Sequence, residues 1–371
     1  MLQPLLLIPN PVSVSLPVRE AMQQPVLSAQ QVEYQTLYRH VLASITCLYS
    51  GLANDWLCNV NAQNAFQAML PVLASSKHDT KDLILLVTGS RSRRWAEFLQ
   101  AQQIAFTPID LCAALRELDT ASFARLAAEQ ISKLPAARRV MMVQVEPEDG
   151  LQLPLAAMAE AMAEAAMSGM HNGSEDHSMA WYLDASHSFG AEFIDFERWP
   201  LEAMVSISDA CLHAPAGLSL LLHKKTAAAG SSHELNTYHA PPSSLLHALQ
   251  TALGEMIRGG GVNARRRRYL RFQETLTRTF KRFGLNPLTA KHTAAAMACY
   301  ELPELITHEQ FAAELLRQGF FVEPLRESQP AEAAVTPLAI CVMGDLDDLP
   351  LARLQQAIED ILHPISLSIN D

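Results

Sequence analysis

Short apolar runs alternate with helical patterns of apolar and polar residues from about residue 80 onward. The runs predict buried strands over 83–89, 104–110, 139–146, 179–186, 203–208 and 217–223. Amphipathic spacing predicts a helix through Trp95 and Leu99 and another over about 111–134, and the alanine-rich stretch 153–166 favours a third. This alternation predicts an α/β fold with a mostly parallel sheet covered by helices.

The pattern changes after about Pro242. Two long amphipathic helices are predicted over 243–258 and 263–283. Shorter predicted elements follow, in the order strand 294–301, a helix through Phe311 and Leu315, strand 320–324, strand 339–344 and helix 349–362. This mixture predicts a small α+β domain behind the larger one.

Composition narrows the range of partners. The 371 residues are 49% hydrophobic and carry a formal net charge of -11 at pH 7. This acidic balance opposes nonspecific binding to nucleic acid or to an anionic membrane, and it favours small-molecule or protein partners. The arginine run 265–268 lies inside a predicted helix and is interpreted as a solvated face.

Cysteine usage and targeting patterns indicate the compartment. The six cysteines show no CxxC spacing and stand among apolar neighbours, so we expect reduced core residues and no bound metal. The polar segment 168–178 contains two histidines and is interpreted as a solvated turn. The segment 1–18 has no basic start, which opposes a signal peptide, and no stretch reaches the roughly 18 apolar residues of a membrane span. We therefore expect a cytoplasmic protein.

Several motifs occur along the chain in a characteristic order. They are LLLIPNPVSVSLPVREAM (5–22), TGSRSRRW (88–95), VEPEDG (145–150), YLDASHSFGAEFIDFE (182–197), PPSSLLHALQTALGEMIRGGGVNARRRRY (241–269) and the later QGFFVEP and ICVMGDLDD. In this order they resemble the class V aminotransferases of fold type I, most clearly the 2-aminoethylphosphonate–pyruvate and alanine–glyoxylate transaminases. The resemblance covers nearly the whole chain.

The resemblance implies an architecture and an assembly. It implies a large domain over 1–255, built on a mostly parallel seven-stranded sheet, and a small C-terminal α+β domain over 256–371. It also implies that the segment 1–20 packs on the small domain. A homodimer is expected because members of that family build their sites between two subunits.

The family's reaction needs a lysine amine, which holds pyridoxal phosphate as a Schiff base and moves a proton. The stretch 206–218 resembles the family's lysine motif, with Ala210 at the lysine position and Ser208 two residues before it. An alanine forms no imine. Lys224 and Lys225 lie beyond the next predicted strand, and we expect them to be too distant to replace the lysine.

Further cofactor contacts are implied in the same way. Asp184 matches the aspartate that the family places beside the pyridine nitrogen, and Ser186 and His187 follow it. Glu146, in the VEPEDG motif, is likewise assigned to the cofactor site. Arg91 stands at the position of the aromatic ring that stacks on the cofactor; a guanidinium can stack on a ring, but Arg91 is interpreted as a surface arginine.

The phosphate and carboxylate contacts of the family are replaced by other residue types. Its glycine-rich phosphate loop corresponds to Asn-Val-Asn-Ala over 59–62, where Asn61 and Ala62 are the residues assigned to the cofactor and the asparagines are expected to cap the following helix. A threonine that reaches the partner's phosphate corresponds to Ala240. The arginine that binds the substrate carboxylate corresponds to Ala339.

These replacements lead to three function hypotheses. The first is a degenerate, noncatalytic homologue, a pseudoenzyme that acts as a dimeric structural or regulatory partner, for example of an active transaminase. The second is an enzyme that uses pyridoxal phosphate without a lysine, with His187 or His213 as the base. The third is a protein that binds another small ligand in the cleft. Pyridoxal phosphate is expected to be bound noncovalently or not at all.

Overall fold

The computed structural model describes residues 3–74, 83–134, 138–167, 179–225, 240–288, 291–303, 305–323 and 338–369. Within these ranges the strands are β1 (Leu5–Leu6), β2 (Trp56–Asn61), β3 (Leu83–Val87), β4 (Thr107–Asp110), β5 (Arg139–Val143), β6 (Ala180–Asp184), β7 (Leu201–Ile207), β8 (Ser219–Lys224), β9 (Met297–Tyr300), β10 (Phe320–Phe321) and β11 (Leu338–Cys341). The helices are α1 (Leu16–Ala21), α2 (Val32–Thr46), α3 (Leu52–Asp55), α4 (Ala65–Ala74), α5 (Ser90–Ala101), α6 (Cys112–Glu117), α7 (Thr120–Ser132), α8 (Leu155–Met167), α9 (Ser243–Arg258), α10 (Gly261–Lys281), α11 (His308–Arg317) and α12 (Asp348–Ile369). The segments 168–178 and 324–337 lie outside the described residues.

A seven-stranded sheet forms the centre of the large part of the chain, in the order β2-β8-β7-β6-β5-β3-β4. Its neighbours pair in parallel from β4 to β7, whereas β8 pairs antiparallel with both β7 and β2. Because only 208–218 connects β7 to β8, the chain has too few residues for a parallel crossover and returns antiparallel. The predicted α/β class and mostly parallel sheet are confirmed.

Alternate residues of the central strands face opposite sides of the sheet. Leu83 and Leu85 pack in a core cluster with α4 and α5, whereas Ile84 and Leu86 pack in a second cluster on the other face. Tyr182 belongs to the first cluster. Asp184, two residues further on, therefore points toward the face covered by α4 and α5.

A third core cluster joins the C-terminal elements. Its largest buried side chains include the stacked rings of Phe280 and Tyr300, whose centroids are 4.1 Å apart. β9 pairs antiparallel with β11. β1 pairs in parallel with β10, so the segment near the start of the sequence lies on the C-terminal elements.

Three local predictions are corrected. The single helix expected over 111–134 is two helices, α6 and α7, because the Asp119 side chain accepts a hydrogen bond from the backbone N–H of Ser122 and caps α7. The strands expected over 104–110 and 139–146 are shorter, as β4 and β5. β2 was not predicted as a strand, because Asn59 and Asn61 interrupt its apolar pattern.

Two expectations about surface and core are also wrong in part. The arginine run is not a uniformly solvated face: Arg265 donates to the carbonyl oxygen of Cys211 at 2.5 Å, and Arg266 Nε lies 3.0 Å from Glu192 Oε2. Long arginine side chains at the start of α10 reach polar atoms of the large part of the chain, which the helical periodicity alone does not reveal. Cys47 is exposed, unlike the buried cysteines expected.

Candidate functional site

The polar residues assigned to the cofactor gather at one edge of the large sheet. Asp184 ends β6, Ser208 follows β7, Glu146 lies just beyond β5 and Arg91 is in the first turn of the helix that follows β3. The carboxyl ends of parallel strands meet at the same edge, where α/β proteins form their sites. This edge is therefore the candidate site.

The Asp184 carboxylate is fully buried and accepts three hydrogen bonds. Its Oδ2 accepts hydrogen bonds from Arg91 Nε at 2.7 Å and from Trp95 Nε1 at 2.7 Å. Its Oδ1 accepts from the backbone N–H of Ser186 at 2.9 Å. Burial alone would raise the pKa of Asp184, but the Arg91 charge and these hydrogen bonds outweigh burial and hold the pKa below its usual value. Asp184 is thus an anion paired with an internal cation.

Arg91 is buried, so its interpretation as a surface arginine is wrong. Besides Asp184, its guanidinium donates from Nη2 to Ser186 Oγ at 2.8 Å and lies over the ring of Phe66, 5.1 Å from the centroid. Trp95 was missed as a site residue because it was interpreted only as helix core. The spacing of four residues, which places Arg91 and Trp95 on one face of α5, is the signal that could have found it.

Glu146 holds the start of α5. Its Oε2 accepts from the backbone N–H of Arg91 at 2.8 Å, and its Oε1 accepts from Thr88 Oγ1 at 2.9 Å and from the backbone N–H of Ser92 at 3.3 Å. Burial raises the pKa of Glu146, and these hydrogen bonds oppose the rise. A carboxylate at a helix N-terminus occupies the donors that would otherwise bind an anion. Glu146 therefore stabilises the helix that carries Arg91.

His187 is buried beside this cluster. Its Nε2 lies 3.0 Å from Asn10 Oδ1, an oxygen that only accepts, so Nε2 carries the proton and Nδ1 is the bare nitrogen. Burial first, and then the Arg91 charge, lower the pKa of His187 to about 3. Asn10 Nδ2 also donates to Asp209 Oδ2 at 3.4 Å. Asn10 was not singled out in the sequence, because its partners are far away along the chain.

His213 is the other histidine considered as a base. Its Nε2 accepts from the backbone N–H of Gly344 at 3.0 Å and from the Tyr269 hydroxyl, so its acceptor lone pair is already used. Burial and the charges of Arg265 and Arg268 hold its pKa well below the usual value. These contacts join the loop after β7 to the C-terminal elements. The arrangement fits a structural histidine.

Ala210 is fully buried in the loop between β7 and β8. In the same loop, Ser208 Oγ donates to the carbonyl oxygen of Pro215 at 2.6 Å and holds the loop closed. Lys224 lies at the other end of β8, where its Nζ is 3.3 Å from Glu202 Oε1. Lys225 follows it in the same direction. The predicted distance of both lysines from Asp184 agrees with this placement.

The residues expected to replace the phosphate loop adopt a different structure. Asn61 is the last residue of β2 and pairs with Ser219 of β8, while Ala62 is exposed. Neither asparagine at 59 or 61 caps α4. The cap is Asn64, whose Oδ1 accepts from the backbone N–H of Gln67 at 2.9 Å. The β2 pairing extends the strand into the stretch that was interpreted as a loop.

The remaining substitutions lie elsewhere in the fold. Ala339 is buried in β11, directly opposite Cys299 of β9. Ala240 precedes α9 and is partly exposed. Across the part of the chain that the structure describes, no group of three or more His, Cys, Asp or Glu side chains is arranged to hold a metal ion. In the same ranges, no helix has the length and apolar character needed to cross a bilayer.

Comparisons with known proteins support this fold. No family model matches the chain. The 2-aminoethylphosphonate–pyruvate transaminase of Pseudomonas aeruginosa is 23% identical over 385 residues, covering 98% of this chain and 97% of that protein. The structure of ureidoglycine–glyoxylate aminotransferase from Bacillus subtilis has a TM-score of 0.80 at 17% identity, covering 98% of this chain and 94% of that one. The alanine–glyoxylate aminotransferase of Nostoc sp. gives 0.79 at 18% identity, with 98% and 96% covered.

The architecture is therefore that of the fold type I aminotransferases, as expected from the motifs. Over nearly its whole length the chain is similar to 2-aminoethylphosphonate–pyruvate transaminase.

Pyridoxal phosphate is the cofactor that this resemblance implies. The residues present do not fit it in two respects. The Asp184 carboxylate, which the resemblance pairs with the ring nitrogen, already binds Arg91, and Ala210 offers a methyl group instead of the amine that a Schiff base needs.

Proposed function

We propose that the chain is a noncatalytic aminotransferase-like protein, a degenerate homologue that acts as a dimeric structural or regulatory partner. The single observation that carries the proposal is the fully buried Ala210 in the loop after β7, at the position that the motif assigns to the lysine. Transamination requires a primary amine at this point to form the imine and to move the proton. A methyl group does neither.

The histidine-dependent alternative is opposed by the pKa of His187 and by the hydrogen bonds of His213. The bare nitrogen of His187 belongs to an imidazole with a pKa of about 3, which is too weak a base to hold a proton near neutral pH. The acceptor nitrogen of His213 is taken by Gly344 and Tyr269. The alternative of a small-ligand protein stays open, but no contact among the described residues favours a particular ligand.

Covalent trapping with borohydride tests the proposal. After incubation with pyridoxal phosphate and reduction, we expect no stoichiometric adduct on a single lysine. No described lysine nitrogen contacts Asp184 or Arg91, and Lys224 is paired with Glu202. The measurement is intact mass followed by peptide mapping. The matched control is the variant Lys224→Arg/Lys225→Arg, which we expect to show the same low level of adduct as the wild type. One lysine labelled to completion, with an aldimine absorbance band, would refute the proposal.

The dimeric role is supported by apolar side chains that surround α9. Leu16 in α1 is 56% exposed, Val32 in α2 is 72% exposed and Ile257 in α9 is 44% exposed. Both α1 and α2 pack against α9. Contiguous exposed apolar patches mark protein interfaces, and these three side chains lie on helices that pack on one another.

Light scattering during size exclusion measures the oligomeric state. We expect twice the chain mass for the wild type, and a shift toward the monomer for Leu16→Asp/Ile257→Asp. Leu349→Asp, at another exposed apolar position, is the control. A monomeric wild type at micromolar concentration would contradict the dimer.

A further inference from the structure

The contacts of Asp184 imitate those of a bound cationic ring. A protonated pyridine nitrogen would offer this carboxylate one charged N–H donor. Arg91 supplies a charged N–H donor from within the chain, because its Nε lies 2.7 Å from Asp184 Oδ2. The indole N–H of Trp95 adds a second donor to the same oxygen.

We propose that the Arg91 guanidinium is a built-in substitute for the pyridinium ring, which completes the site without a cofactor and excludes pyridoxal phosphate from it. This inference rests on the proposed noncatalytic function and extends it from covalent to noncovalent binding. The substitute is charge-matched, because a cation in contact with an ionised buried carboxylate offsets part of the cost of removing that carboxylate from water.

The position of Arg91 is fixed by several independent contacts. Its backbone N–H donates to Glu146, its Nη2 donates to Ser186 Oγ, and its Cζ lies over the Phe66 ring, 5.1 Å from the centroid. An arginine that is held at its backbone and at two points of its guanidinium has little freedom to move aside. A ring that entered this site would therefore have to break the ion pair and displace a buried charge.

A ligand without an aldehyde separates this inference from the proposed function. Deoxypyridoxine phosphate has the ring nitrogen and the phosphate of the cofactor but forms no imine. Its binding is measured by thermal shift and by the fluorescence of the protein, since Trp95 contacts the same carboxylate. Borohydride trapping of pyridoxal phosphate on the wild type would overturn the proposed function, whereas saturable binding of deoxypyridoxine phosphate would overturn only the inference.

Variants at position 91 provide the decisive comparison. The wild type is expected to show no saturable shift with deoxypyridoxine phosphate. Arg91→Phe places an aromatic ring there and frees the carboxylate, so we expect a lower melting temperature without ligand. We also expect saturable binding, with a dissociation constant at least about tenfold below the highest ligand concentration at which the wild type shows none. Arg94→Phe, on the same helix but with an exposed side chain, is the control and should behave as the wild type.

A second variant guards against loss of the fold. Arg91→Gln keeps an N–H donor without the charge, and we expect it to bind deoxypyridoxine phosphate more tightly than the wild type does. If neither variant folds, the wild-type titration decides alone, because the inference requires that it show no saturable binding. Equal affinity in the wild type and in either folded variant would overturn it.

Discussion

Replacing Arg91 by methionine is expected to lower the free energy of unfolding by about 3–5 kcal/mol, because removal of one partner leaves the other as an uncompensated buried charge. The Asp184 carboxylate has no exposed surface, and Arg91 is its only cationic partner among the described residues. Urea unfolding at neutral pH measures the change. The double variant Arg91→Met/Asp184→Asn removes both charges, and we expect it to recover much of the loss.

The pH dependence of the same variant has a definite sign. In the wild type the pKa of Asp184 lies below its usual value, so the pair contributes stability at neutral pH that is lost as the pH falls through that pKa. In Arg91→Met, burial is no longer opposed by the cation and the carboxyl takes up a proton at higher pH. The difference between variant and wild type is therefore expected to be largest near neutral pH. It shrinks as the pH falls through the raised pKa of the variant and on toward the lowered pKa of the wild type. A difference that stays constant with pH would mean that packing, rather than charge, sets the cost.

Replacing Glu192 by alanine is expected to cost about 3 kcal/mol. The Glu192 carboxylate is buried, accepts from Arg266 Nε at 3.0 Å and also accepts from the backbone N–H of Ala295. Hydrogen bonds to a charged group contribute about 1.5–3 kcal/mol each, and the truncation leaves the Ala295 N–H unpaired in a buried position. Glu192 thus joins the large sheet part to both α10 and the segment before β9.

Thermal and urea unfolding of Glu192→Ala should show this loss as a shift of the whole transition. The exposed Glu197, five residues further along, gives the matched control Glu197→Ala, which we expect to unfold as the wild type does. Glu192→Gln keeps the oxygen that accepts from Ala295, and should lose less. A change below about 0.5 kcal/mol for Glu192→Ala would show that the contact is not a determinant of stability.

The fold could be predicted where local pattern alone decides the structure. All five residues of β3 and all five of β5 are buried, and such runs are visible in the sequence. β2 was missed because its asparagines alternate with apolar residues at the edge of the sheet. The break between α6 and α7 depends on one capping aspartate, Asp119, inside a helical pattern. That helix boundary is set by the side-chain cap of Asp119, and the spacing of apolar residues alone does not reveal it.

The candidate site could be predicted only in part, for a different reason. The position of Asp184 at the end of a strand follows from its own neighbours in sequence. The burial of Arg91 does not, because its partner lies 93 residues away and an isolated arginine at the start of a helix is usually exposed. Long-range charge pairing is a property of the folded chain. The opposing charges at Arg91 and Asp184 were visible in the sequence, but their contact was not.

The strand β1 has a consequence for biosynthesis. Leu5–Leu6 pairs with Phe320–Phe321. The backbone N–H of Val12 donates to the backbone carbonyl of Asp209, and the backbone N–H of Asp345 donates to the backbone carbonyl of Ser13. During translation this stretch waits for partners made hundreds of codons later. Its apolar leucines therefore lack their strand partner until residues 320–321 have been synthesised.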